Sequence, residues 1–388
     1  MEDIYKKRIA FVVTHPIQYY SPIFKRLTEN NDSIIRVFYT WGVDSINKYD
    51  PDFKTTIEWN VPLLDGYDYF FCNNIAQDKG SHHFHGIDAI DLHENLLQFN
   101  PDIVCLFGWN YKSHLKLILN NKNKYIICLF GDSHLLDRKN KIYEFFRRIY
   151  VKYVFSKINY FFYVGKNNYE YYKYFGVRNN QLYYVNHSID DYRFSTERKE
   201  EVEILRKEYN ILESDKVILY VGKLEYKKGI DLLINVVKEI NEVSYKLIIV
   251  GDGQLKEVVQ NNLGDNIIYV GLVNQSEMPL YYKLADVLVL PSRGPGETWG
   301  LVINEAMVNG LAIIASDKVG SAIDLVNGNG YIFRIDKIYE LKEVLIKVFN
   351  PEELPIMKQK SLEISKLYSL DIAVKRYSNA FEGILAKG

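Results

Sequence analysis

The sequence predicts an α/β fold built from two parallel-sheet units with crossover helices. Short β-branched and aromatic runs alternate with longer stretches of helical period, the pattern of strands joined by helices. Runs such as Lys246–Val250 and Asp286–Leu290 are almost wholly apolar, as strands covered on both faces require. A chain of 388 residues has the length for two domains of about 100–200 residues each. In the first half the predicted strands are Arg8–Val13, Ile34–Tyr39, Ile103–Phe107, Tyr125–Phe130 and Tyr160–Val164. In the second half they are Val217–Val221, Tyr245–Val250, Ile267–Val270, Val287–Leu290 and Ala312–Ala315. The polar, turn-forming stretch Asn186–Glu200 between them marks the boundary. A second crossing is expected near Asn350–Pro355, followed by one amphipathic helix over 361–385. The expected domains are therefore 1–190 and 191–365, with 366–388 a helix packing back on the first. Two such sheets leave a cleft at the carboxyl ends of their strands, where ligands bind.

Composition narrows the function classes. With 47% hydrophobic and 25% charged residues the chain is an ordinary globular protein. Its formal net charge of -1 gives no overall attraction to nucleic acid. Cys72, Cys105 and Cys128 are odd in number and far apart, and two lie in strand-like runs. They read as reduced core thiols of a cytoplasmic protein rather than a disulfide framework or a zinc site. No apolar run reaches the roughly 18 residues of a membrane span, and the start of the chain has no signal-peptide core, so a soluble chain is expected.

The second half carries the clearest chemistry. After Val217–Val221 comes Gly222-Lys223-Leu224-Glu225-Tyr226-Lys227-Lys228-Gly229. Two ammonium groups, Lys223 and Lys228, at the rim of a cleft suit a diphosphate leaving group; the alternative is two solvated surface charges. Gly251-Asp252-Gly253 ends a strand and permits close backbone approach, although many such turns only connect elements. The segment Pro291–Gly310 follows a strand with a Gly-rich loop carrying Glu297. A helix is expected to start near Trp299-Gly300, to carry Glu305 and to stop at Asn309-Gly310. Free amides at that start form an anion site, and the two carboxylates are suited to accept hydrogen bonds from hydroxyls.

Two glutamates separated by seven residues, in the setting P-S-…-E-x-x-G-…-E-A-M, resemble the signature of retaining GT-B glycosyltransferases, particularly glycosyltransferase family 4. The upstream G-K-L-…-K-G and the later Ala315–Phe333 stretch are similar to the same family, so the likeness covers residues 215–335. The resemblance implies a GT-B fold, two Rossmann-like domains facing a cleft. By position it implies that Lys223 and Lys228 hold a nucleotide-sugar diphosphate, Glu305 the ribose and Glu297 the transferred sugar. Amides of Trp299, Gly300 and Leu301 would hold the sugar and β-phosphate; Gly222 and Gly251 would line the donor site, and Gly271-Leu272 would border the base. Lys223 departs from the family, which usually has Arg there; lysine keeps the charge and loses the planar fork.

The first half is less regular. Where the family commonly has a glycine pair, the turn reads Thr14–Pro22. Its lack of glycine also argues against a dinucleotide-binding dehydrogenase. His15, Gln18 and Tyr19, with Trp109 and Asp132, are the acceptor-side candidates, the alternative for His15-Pro16 being a simple turn. His134, in Gly131–Asp137, matches by resemblance the family histidine near the reacting sugar.

Two motifs are set aside. Asp50-Pro51-Asp52 imitates a metal-binding Asp-x-Asp without the right strand context, and His82, His83, His85 and His93 have no standard zinc spacing. No metal and no cofactor beyond the co-substrate are expected. Residues 110–157 hold eleven Lys and Arg against three Asp and Glu. Within them Ile142, Phe145, Phe146, Ile149 and Tyr153 fall near one helical face, beside Arg147, Arg148 and Lys152. Such a face fits an anionic membrane or, equally, the protein's own core.

The expected function is a metal-independent retaining glycosyltransferase. It would move sugar from a nucleotide-diphosphate sugar, a UDP-sugar by analogy, to a saccharide acceptor, lipid-linked, in bacterial surface glycan synthesis. It would work in the cytoplasm or at the inner membrane face. The alternatives are a GT-B epimerase or phosphorylase, and a silent nucleotide-sugar-binding scaffold.

Overall fold

The computed structural model describes residues 6–387 apart from 47, 51–54, 58–59, 138–139, 241 and 243. Pro51, Asp52, Arg138 and Lys139 of the sequence reading fall outside the described residues. The first half contains β1 (Lys7–Val13), β2 (Ser33–Tyr39), a short antiparallel pair β3 (Lys48–Asp50) and β4 (Thr55–Ile57), and β5 (Asp68–Phe71). It continues through β6 (Ile103–Phe107), β7 (Ile126–Phe130), β8 (Tyr160–Tyr163) and β9 (Leu182–Tyr184). Seven of these strands form one sheet in the order β5-β2-β1-β6-β7-β8-β9, each pair parallel. Its helices are α1 (Ser21–Glu29), α2 (Leu92–Phe99), α3 (Lys112–Asn120), α4 (Lys141–Phe155) and α5 (Lys166–Tyr174).

The second half begins with α6 (Asp191–Ser195) and α7 (Lys199–Glu208), which pack on helices of the second unit. Its sheet comprises β10 (Lys216–Val221), β11 (Tyr245–Val250), β12 (Ile267–Gly271), β13 (Val287–Leu290), β14 (Ala312–Ser316) and β15 (Gly330–Phe333). They lie in the parallel order β12-β11-β10-β13-β14-β15. Helices α8 (Ile230–Ile240), α9 (Lys256–Gln260), α10 (Met278–Leu284), α11 (Val302–Val308), α12 (Ala322–Leu325) and α13 (Ile338–Lys347) complete the unit. In each sheet the strand order reverses beside the first strand, between β1 and β6 and between β10 and β13. Those switch points open crevices at the carboxyl ends.

The chain end differs from the single helix expected over 361–385. Two helices are present, α14 (Leu354–Lys366) and α15 (Leu370–Leu385), because the Ser369 side chain accepts from the Ile372 amide and starts a new helix. α14 packs on α11 and β14, whereas α15 packs on α1 and β9. The crossing therefore lies at Leu367–Ser369 rather than Asn350–Pro355. Tyr377 and Phe381 of α15 enter the aromatic core of the first sheet, each ring 6.2 Å or less from that of Phe11. All three cysteines are buried and free, and Cys105 and Cys128 are register partners on β6 and β7.

Candidate active site

The loops after β10 and β13 meet because glycine removes the side chains that would part them. Gly229 has φ +74, and a Cβ there would stand 2.1 Å from the Pro291 carbonyl oxygen. A Cβ on Gly251 would stand 2.0 Å from that of Gly222. Arg293 locks the assembly: its two terminal nitrogens each lie 2.7 Å from an Asp231 carboxylate oxygen, and its guanidinium stacks on Tyr226. The sequence reading missed this pair, whose members lie on separate elements. As a result Lys228 Nζ stands 2.7 Å from Glu297 Oε2, which also accepts from Ser292 Oγ at 2.7 Å. Lys228 and Glu297, seen separately in the sequence, thus form one largely buried ion pair. An ammonium has three N–H donors, so this bond does not by itself bar a second anion. Lys223 is half-buried on the same loop, its carbonyl held by the Tyr220 hydroxyl at 3.0 Å. Gly271 ends β12 with φ +88, and Leu272 beside it is exposed, an apolar surface at the rim.

The second glutamate is in a different state. Glu305 is 2% exposed, and its two carboxylate oxygens accept from the Tyr19 hydroxyl at 3.0 Å and the Tyr282 hydroxyl at 2.5 Å. Burial lifts its carboxyl above the usual range while the two hydroxyls pull it back. Tyr19 thus bonds across the cleft to the second domain. Helix α11 begins later than expected, at Val302, with Leu301 as its N-cap. Trp299 is buried, its indole N–H bonded to Asn304 Oδ1 at 2.9 Å. Gly300, at φ +93, turns the chain into that helix.

A cavity of about 350 Å³ opens at the other switch point, lined entirely by the first domain. The turn that replaces the glycine pair winds helically, with the Tyr20 and Ser21 amides both bonded to the Ile17 carbonyl. Residues three apart, Ile17 and Tyr20, consequently face the cavity with Val13 and Thr14, whereas His15, Gln18 and Tyr19 do not line it. His15 is instead bonded to Thr14 and set edge-on against Trp41. Trp109 and Asp132 do line the cavity, with Phe107, Tyr111, Phe130 and Tyr172 among its aromatic walls.

Groups of the two domains meet between these crevices. Thr298 Oγ1 donates to Asp132 Oδ2 at 2.8 Å. His134 Nε2 lies 3.2 Å from the Glu297 carbonyl oxygen, and its Nδ1 accepts from the Leu136 amide at 3.3 Å. A carbonyl only accepts, so Nε2 carries the proton and both ring nitrogens have backbone partners. His134 thus bonds the Glu297 loop from across the cleft. Sequence reasoning also missed His187: it is 2% exposed, neither ring nitrogen has a hydrogen-bond partner, and Nε2 stands 3.6 Å from Asp132 Oδ2. Burial alone would raise the Asp132 carboxyl, but His187 and Thr298 hold it below the usual carboxylate range.

The cavity wall has a pH-sensitive support. His114, fully buried on α3, bonds the Gly108 carbonyl through Nδ1 at 2.8 Å and Thr40 Oγ1 through Nε2 at 2.9 Å, behind the lining residues Gly108–Tyr111. Burial pushes its pKa down to about 4, with the Gly108 carbonyl opposing. The unfolded chain takes up this proton near pH ~6.5 and the folded chain does not, so stability falls as the pH drops through that interval. We expect denaturant unfolding to show a loss of up to about 3 kcal/mol between pH ~6.5 and ~4 that is absent in His114→Gln.

Two sequence features change meaning. On α4 only Val151, Val154 and Phe155 are buried; Ile142, Phe145, Phe146, Ile149 and Tyr153 are each more than half exposed. The core-facing alternative is thereby removed. Arg148 and Lys152 flank this apolar face in solvent, whereas Arg147 is half-buried against Glu144 and Tyr171. Among the four histidines, His82 and His83 converge on one carboxylate, that of Asp78.

Comparison with known proteins shows what part of this chain is similar to. Residues 201–360 match the family described as glycosyl transferases group 1, so the resemblance read from the Lys223–Gly310 motifs holds over that stretch. An uncharacterized 41.2 kDa protein of the cps region of Klebsiella pneumoniae is 30% identical over 60% of this chain and 61% of its own length. The alpha-monoglucosyldiacylglycerol synthase of Streptococcus pneumoniae is 34% identical over 30% of this chain and 28% of its own. The chain thus spans less than two thirds of the length of the curated relatives it matches. The solved structure of HepE from Anabaena in complex with UDP aligns over 97% of this chain and 100% of that one, with a TM-score of 0.71 at 15% identity. The fold is GT-B.

Proposed function

We propose, taking the group 1 match as the premise, that the protein is a glycosyltransferase of surface-glycan synthesis. It transfers a sugar from a UDP-sugar to a saccharide hydroxyl, with retention and without a metal at the diphosphate. The observation that carries this reading is the Lys228–Glu297 ion pair at the second sheet's switch point, with Glu305 on the helix that follows bonded to Tyr19 of the first domain, and an aromatic cavity in that first domain. The choice of uridine follows the UDP in the HepE structure.

The donor diphosphate lies on the Gly222–Gly229 loop, with Lys228 and Lys223 compensating charge as it leaves. Glu297 receives hydroxyls of the transferred sugar, and Glu305 exchanges a tyrosine hydroxyl for the ribose diol. Amides of Trp299, Gly300 and Leu301 meet the sugar and β-phosphate. The acceptor hydroxyl approaches from the Asp132 and Trp109 side and bonds to the anomeric carbon as the bond to the phosphate oxygen breaks. The departing phosphate takes the hydroxyl proton, so both events share one face and the configuration is kept. His134 acts as a positioning residue for the Glu297 loop, and domain closure excludes water. Nuclear magnetic resonance of the product tests this: the donor's anomeric configuration is expected, and an inverted product, or donor binding without transfer or hydrolysis, would overturn it.

The acceptor is lipid-linked in this reading. Phe155 lines the cavity from the buried side of α4, and Trp109 touches both Phe155 and Tyr150, each with rings 6.0 Å apart. The cavity is thus continuous with a helix whose outer face presents aromatic groups ringed by cations, as an anionic interface favours. One relative has a diacylglycerol product in its name. We expect the chain to sediment with phosphatidylglycerol vesicles. Reversing Arg148 and Lys152 to Glu with Phe145→Ser and Phe146→Ser should weaken that at least about tenfold with unchanged circular dichroism. Equal binding by this variant would remove the membrane assignment.

A further inference from the structure

Outside the transfer site, one loop of the first domain gathers metal-ligating groups. His82 Nε2 stands 3.2 Å and His83 Nε2 3.0 Å from the same Asp78 Oδ2, and one ligand atom of each residue lies within 4.8 Å of the others. Nitrogen and oxygen ligands about 2.0–2.1 Å from one tetrahedral ion sit about 3.3 Å apart, close to this spacing. The backbone is folded to make the cluster. The Gly80 amide bonds the Gly86 carbonyl at 3.1 Å, and a Cβ on Gly86 would stand 2.1 Å from the Gly80 carbonyl oxygen. The His82 ring lies on Gly80, where a Cβ would stand 2.3 Å from Nδ1. Asn74 Nδ2 holds the Gly86 carbonyl at 2.9 Å, and the Tyr111 hydroxyl holds that of Ser81 at 3.3 Å.

We propose that Asp78, His82 and His83 form a zinc site at the rim of the first-domain cavity. Two imidazoles and one carboxylate are a donor set for zinc, and the exposed cluster leaves room for a water as fourth ligand. The sequence reading passed over it because the histidine spacing fits no standard ligand set, and Asp78 was not counted with the run. His82 and His83 also line the cavity, so the ion would fix this loop across the mouth where the acceptor enters. That consequence rests on the proposed transfer reaction; the binding itself does not.

The test is equilibrium dialysis of the tag-free full chain against Zn²⁺ after chelator treatment, with Co²⁺ absorption reporting the ligand field. We expect one ion per chain. His82→Gln/His83→Gln should weaken zinc binding by more than the roughly 10–100-fold that loss of an outer-shell partner costs. His85→Gln/His93→Gln should leave it unchanged, and circular dichroism checks that both variants are folded. No stoichiometric zinc at about 100 micromolar, or equal binding by the His82/His83 variant, overturns the site whatever the protein's transfer activity.

Discussion

Replacing Lys228 by alanine should lower the turnover of sugar transfer by roughly 100- to 1000-fold, the usual cost of removing a preorganised group that faces developing charge. Affinity for UDP should fall far less, because the charge on the phosphate oxygen grows only as the glycosidic bond breaks. The size of the effect comes from placement. Gly229 lets the lysine loop touch Pro291, Arg293 clamps that loop through Asp231, and Glu297 fixes the ammonium at 2.7 Å before any donor arrives. A lysine so held loses little freedom on binding. The substitution also strands the Glu297 carboxylate, which would repel a diphosphate. The double variant Lys228→Ala/Glu297→Gln separates the two effects. Turnover should stay low in it; recovery would mean that the ammonium serves only to neutralise Glu297.

The second large effect is at Glu305. Glu305→Ala should weaken UDP by roughly 10- to 100-fold, since charge-assisted hydrogen bonds to the ribose diol contribute about 1.5–3 kcal/mol. It should also lower folding stability by about 1–3 kcal/mol by leaving the hydroxyls of Tyr19 and Tyr282 without their acceptor. Tyr19→Phe moves the other way. It frees one carboxylate oxygen for ribose, so UDP affinity should be unchanged or up to about threefold tighter. Calorimetric titration with thermal unfolding reads both quantities. If Tyr19→Phe instead weakens UDP as much as Glu305→Ala, the carboxylate acts by joining the domains and not by holding ribose.

These residues show what a sequence reveals and what it leaves hidden. Strands such as Tyr245–Val250 were legible because burial on both faces leaves an apolar run broken only by Lys246. The edge strands β9, β15 and β5 were not, being only three or four residues long and mostly half-buried or exposed. Lys228, Glu297 and Glu305 were legible through the resemblance of their surrounding motifs to glycosyltransferase family 4, with Lys228 and Glu297 on loops and Glu305 on α11. Their partners were not: Tyr19 lies 286 residues from Glu305, and Asp231 lies 62 from Arg293. Helix α4 shows the limit from the other side. Its periodicity defined an apolar face but not what that face meets, because the same pattern serves a core and a membrane. Exposure of Phe145 and Phe146 removes the core alternative. His187, standing where nothing in the local pattern marks it, becomes visible only when folding brings Asp132 within 3.6 Å.

The most direct measurement is a crystal structure of the protein with UDP bound. It should place a β-phosphate oxygen within hydrogen-bond distance of Lys228 Nζ and the ribose hydroxyls on Glu305, with Tyr19 displaced from that carboxylate. A nucleotide bound elsewhere, with the Tyr19–Glu305 bond intact and Lys228 touching only Glu297, would contradict the donor site.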